Sequence, residues 1–174
     1  MSRRRPLSAM AFGLVAMFAV LSLPVAAAAQ AQVPFSSLAV DRSAPVEIES
    51  ETLDVDQEAG TALFSGEVLV VQDGLRLVAD RLLVFYGPDP ATGRNRIQRM
   101  RATGNVLLVT PDDAAEADSA IYDLEAGELT MEGDVLLTQG PNALAGDRLD
   151  IDLETGLGRM EGRVRSVILP GTLE

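Results

Sequence analysis

The chain has 174 residues, 47% of them hydrophobic, with no Cys, His or Trp and a formal net charge of −12. All 14 basic residues are Arg, set against 26 Asp and Glu, a length and balance that suit one acidic domain or at most two. His-based triads, thiol chemistry, disulfides and ordinary zinc sites are excluded, and a phosphate-tracking nucleic-acid binder would need a basic footprint that is lacking.

In chain order, Arg3, Arg4 and Arg5 precede an apolar stretch from Leu7 to Val25, which ends in the small residues Ala26 to Ala29. This predicts a signal peptide over 1–29, cleaved on export to the periplasm. Retention of the segment as a membrane anchor is the alternative. Residues 30–45 show no period and are expected to be a leader or linker. From Val46 to Leu169, short runs rich in Val, Leu and Thr alternate apolar with polar residues and are punctuated by Gly, Asp, Asn and Pro. The pattern predicts an all-β domain over 46–169, followed by a tail at 170–174.

The domain repeats itself. The acids Glu51, Asp80, Asp118 and Asp147 open similar runs, with spacings of 29, 38 and 29. A second series, Gly66, Gly104, Gly133 and Gly162, is spaced 38, 29 and 29. Acid to Gly is 15 residues in three units and 24 in the second, so an insertion lies between Asp80 and Gly104, most naturally at Gly87–Arg96. A third series of turns, beginning at Asp56, Asp123 and Asp152, agrees, and the insertion is expected to replace the equivalent turn in unit two. Units this short cannot bury an apolar face alone, so a solenoid-like stack of 29-residue, two-strand repeats is predicted.

Strand alternation then assigns faces. Leu53, Val55, Leu82, Val84, Ala120, Tyr122, Leu149 and Ile151 share one parity after the acids. Around the glycines the same face holds Phe64, Val68, Val70, Ala102, Val106, Leu108, Met131, Val135, Leu137, Met160 and Val164. The opposite parity carries Asp54, Arg81, Ser119, Asp150, Glu67, Asn105, Asp134 and Arg163. With five Phe and two Tyr in the whole chain, the apolar face is slender, and an incompletely filled trough holding an apolar guest is expected; a closed core is the alternative.

The run from Ile48 to Asp56 (I-x-S-E-x-L-x-V-D), the strand from Leu63 to Val70 (x-F-x-G-x-V-x-V), and the recurring Ala79-Asp80-Arg81-Leu82 and Ala117-Asp118-Ser119-Ala120 resemble the OstA-like domain family of lipopolysaccharide-transport proteins. The resemblance implies an open, twisted β-jellyroll without enzymatic activity, whose interior shields the acyl chains of lipopolysaccharide. It implies no cofactor. It also implies head-to-tail stacking with itself and with OstA-like domains of an inner-membrane anchor protein and an outer-membrane barrel, forming a bridge between the membranes. The family's other role, a membrane-anchored assembly component of the same fold, stays open, as does a carboxylate-dependent enzyme acting on polysaccharide. Against the enzyme, the acids recur in every unit, whereas an active site needs one unique pair.

Among the remaining signals, Arg94 and Arg96 beside the insertion could meet lipid headgroups or could simply belong to a charged loop on an acidic surface. The acidic turns carry too few ligands for calcium and suit ordinary turn chemistry. Val46 and Ile48 at one end, and Val164, Val167 and Leu169 at the other, mark edge strands expected to serve assembly.

Overall fold

A computed structural model describes residues 32–34, 41 and 44–169; the predicted signal peptide and the tail at 170–174 lie outside them. Among the described residues, eleven strands form one antiparallel sheet: β1 (Gln32–Pro34), β2 (Glu47–Glu49), β3 (Thr52–Asp56), β4 (Thr61–Gln72), β5 (Leu75–Pro88), β6 (Asn95–Val109), β7 (Asp113–Asp123), β8 (Glu128–Gln139), β9 (Asn142–Asp152), β10 (Leu157–Glu161) and β11 (Arg165–Val167). From β4 to β10 each strand pairs with the next in sequence, so the body is a meander. No helix occurs among the described residues.

The long strands bend in the middle, and the bends are where the two sequence series meet. In β4, β6 and β8 the pairs Gly66–Glu67, Gly104–Asn105 and Gly133–Asp134 all have positive φ, and the ladder shifts register there. The acid of each unit lies over the Gly of the same unit: a Cβ at Gly66, Gly104, Gly133 or Gly162 would overlap the carboxylate of Glu51, Asp80, Asp118 or Asp147. Only Gly combines the left-handed backbone with room for that carboxylate. Bulges of this kind sharpen strand bending, and here they fold the sheet into two half-sheets about a shared interior. At the outer strands the bend becomes a break: Glu51 separates β2 from β3, which both pair with β4, and Gly162 lies between β10 and β11, which both pair with β9.

The turns are built by aspartate. The Oδ1 atoms of Asp56, Asp123 and Asp152 accept hydrogen bonds from backbone N–H groups two and three residues on, at 2.8–3.1 Å. The insertion does not replace this turn in unit two, contrary to expectation. Asp89 accepts from Ala91 N–H at 2.8 Å and Thr92 N–H at 2.9 Å, and Gly93 N–H closes on Asp89 C=O. The turn Asp89-Pro-Ala-Thr-Gly93 is retained at the tip of a longer β5–β6 hairpin, and the extra residues lengthen its strands.

Within residues 30–45, the short strand Gln32–Pro34 pairs antiparallel with Leu157–Arg159 of β10.

Candidate functional site

The interior between the half-sheets is lined by side chains from both sides of the corners: Val70, Leu75, Leu77 and Leu108 from one half, and Leu82, Met100, Ala102, Ala120, Tyr122, Leu129 and Leu153 from the other. Val68, Val84, Val106, Met131, Val135, Leu137, Leu149, Ile151 and Met160 are buried in the same cluster, and Phe64 packs against it half-buried. Three predicted lining residues lie elsewhere. Leu53 and Val55 on edge strand β3 are 52% and 55% exposed, and Val164, between β10 and β11, is 42% exposed.

Sequence reading missed Leu77, Ala79, Ala115, Ala117 and Leu144, all buried in the cluster. Along the Gly-bearing strands the inward parity runs unchanged through the corner, from Ala102 to Val106. On the acid-bearing strands it inverts, from Ala79 to Leu82 and from Ala117 to Ala120, because two bulged residues oppose one acid. Positions one and three before each corner acid carried the signal, once the acid is recognised as a bend.

The interior is nearly full. The cavity between the half-sheets has room of about 30 Å³, close to the space one water needs. The trough between the half-sheets is therefore narrow in this structure. Small and flexible side chains (Ala79, Ala102, Ala115, Ala117 and Ala120, with Met100, Met131 and Met160) let the half-sheets approach until they touch. Gln72, itself buried, donates from Nε2 to Ala44 C=O at 3.1 Å. At the rim, Val46, Gln72, Ile97, Leu124, Arg96 and Glu125 bound an open groove of about 630 Å³.

Arg96 in this rim is ion-paired with Asp89 at 3.2 Å and with Glu125, tying the long hairpin to the β7–β8 turn. Arg99 meets Asp123 at 3.1 Å. Backbone donors, Ala126 foremost, hold the Asp123 carboxyl below the usual carboxylate range against the opposing effect of burial, with help from Arg99. Arg94 is exposed. On the outer face, Arg148 bridges Glu132 and Asp150, with Asp150 at 2.7 Å. Burial pushes the Asp150 carboxyl up, but Arg148 and the Thr130 hydroxyl outweigh it and leave it lowered. No group of three or more acids suited to a metal is found among the described residues.

The two ends differ. Val46 and Ile48 are half-buried beside β4, whereas Val167 and Leu169 are 68% and 51% exposed. Arg163 donates to Asp147 at 3.2 Å and so serves its own corner, while Arg165 is exposed on β11.

This corner-folded, open sheet with an apolar interior is a β-jellyroll of the OstA-like class. The family described as LptA/(LptD N-terminal domain) LPS transport protein matches residues 47–157, and the chain belongs to that family, whose members are transport proteins and not enzymes. An uncharacterized protein of Rhizobium meliloti (strain 1021) is 32% identical over 106 residues, 58% of this chain and 57% of that protein, so the chain spans less than two thirds of that relative. The crystal structure of LptH, the LptA homologous periplasmic component of the conserved lipopolysaccharide transport device from Pseudomonas aeruginosa, shares the fold, with a TM-score of 0.66. Identity there is 17%, over 75% of this chain and 99% of that one.

Proposed function

We propose that the chain is a periplasmic carrier that shields the acyl chains of lipopolysaccharide between its half-sheets and passes them towards the outer membrane. The observation that carries this reading is the interior itself: a continuous apolar seam, joined across the corners but held shut elsewhere by side-chain contact. Strand pairing runs in one path from β1 and β11 to β2 and β3 without closing on itself, so the halves can part without breaking the ladder. An acyl chain leaving water gains about 0.8 kcal/mol per methylene, and this favours wedging the halves apart. Contacts of this kind have no preferred direction, so cargo can slide. Direction must then come from an energy source outside this chain.

Head-to-tail stacking follows from the same geometry. In both half-sheets an incoming N-terminal end would run antiparallel to the C-terminal end, β2 beside β11 and β3 beside β10. Exposed Leu53 and Val55 would then be covered, continuing the seam into the next domain. Copies of this chain and same-fold domains of an inner-membrane anchor and an outer-membrane barrel are the partners this surface fits.

Photo-crosslinkers at Phe64, Val106 and Met131 test the reading. They should capture lipopolysaccharide, whereas those at Glu67 and Asp134 on the outer corners should not. Equal capture on both faces would refute it. The N-terminal mass of the exported protein distinguishes a cleaved carrier from an anchored component.

A further inference from the structure

We propose that Gln32–Pro34 is a built-in plug on the strand-acceptor edge of β10, which a docking neighbour must displace; this rests on the head-to-tail reading above. β1 lies antiparallel on β10, pairing Gln32 with Arg159, Val33 with Gly158 and Pro34 with Leu157. That is the edge, and the direction, that β3 of a following copy would take. The chain therefore covers with its own backbone a row of N–H and C=O groups that would otherwise stay open to pairing.

The cover is incomplete in three ways, and each makes it displaceable. It spans three of the five residues of β10 and leaves Met160 and Glu161, next to the corner, unpaired by β1. Pro34 has no N–H to contribute to the ladder. The other half of the same end, β11, carries no strand on its outer side among the described residues, and its three residues are all exposed. Docking can thus begin where β2 of the neighbour meets β11 and advance across the corner to Met160 and Glu161. From there β3, with five residues against three, replaces β1 strand for strand. Because β1 is tethered, it competes at a high local concentration and suppresses casual edge pairing while remaining too short to resist a matched partner.

The sequence helps the test, because the chain has no Cys. Three forms of the exported protein are compared: the native chain, a variant lacking Gln32–Pro34, and a variant with Gln32→Cys and Arg159→Cys, oxidised or reduced. In dilute solution, amide exchange at Leu157–Arg159 should speed up on deletion and slow on oxidation. In sedimentation velocity, open-ended association should strengthen about tenfold on deletion, the scale set by a few backbone hydrogen bonds, and weaken on oxidation, with recovery on reduction. Unchanged exchange on deletion would overturn the plug while leaving stacking intact. Faster exchange with equal association in all forms would show that β1 covers the edge without governing it, and would overturn the proposal too. A native chain that never associates, with any variant likewise monomeric, would overturn the head-to-tail reading beneath it.

Discussion

The corners reduce to single residues. At Gly133 the φ of +87° and the Asp118 carboxylate together leave no place for a side chain, whereas Gly74 has a φ of +84° and nothing near its Cβ position. Gly74→Ala should therefore cost only backbone strain, about 1 kcal/mol. Gly133→Ala should cost at least about 2 kcal/mol more, with part regained in the double variant carrying Asp118→Ala; urea unfolding measures both. Asp123 makes a prediction about pH. Its carboxyl is lowered in the folded state, so its stabilisation is complete above its ordinary value near pH 4 and is lost as pH falls through the lowered one. Asp123→Ala should cost about 1 kcal/mol at pH 7, and the gap to the native chain should close in acid. The sequence displayed the acid and Gly series separately and in step. Their contact was not legible, because periodicity reports spacing along the chain and says nothing of which side chain lies over which backbone.

Within the elements, the strands from β4 to β9 were legible because every unit restates the same alternation and errors in one are corrected by the others. Two features had no such support. Gln32–Pro34 is too short to alternate and is a strand only because β10 offers an edge. The unit-two turn was hidden because Asp89-Pro-Ala-Thr-Gly93 keeps the Asp and Gly of the other turns but not the Glu that all three of them share. Filling of the interior was equally out of reach, since side-chain types do not say how closely two half-sheets approach. Met131, fully buried, tests that packing. Met131→Ala should cost about 2–5 kcal/mol in thermal or urea unfolding, and under the proposed function lipid should restore more stability to this variant than to the native chain. Arg96→Ala should cost less than about 1 kcal/mol despite two ion pairs, because Arg96 and Glu125 are about half exposed.

At the scale of the molecule, charge and ends matter more than any one contact. Arg165, exposed on β11, is the better probe of stacking than Arg163, which its own corner occupies. Arg165→Glu should weaken association modestly, and more at low salt than at high, by sedimentation velocity. Reversal of Arg163 would place a carboxylate beside Asp147 and confuse docking with unfolding. The nearly full interior has a further meaning. A row of such domains would be no open pipe at rest, since the cavity between the half-sheets of each has room of only about 30 Å³. An acyl chain would travel as a moving opening, with units parting ahead of it and closing behind. The work of separation ahead would be offset by resealing behind, so resistance would depend on the width of the cargo and hardly at all on the number of domains it must cross.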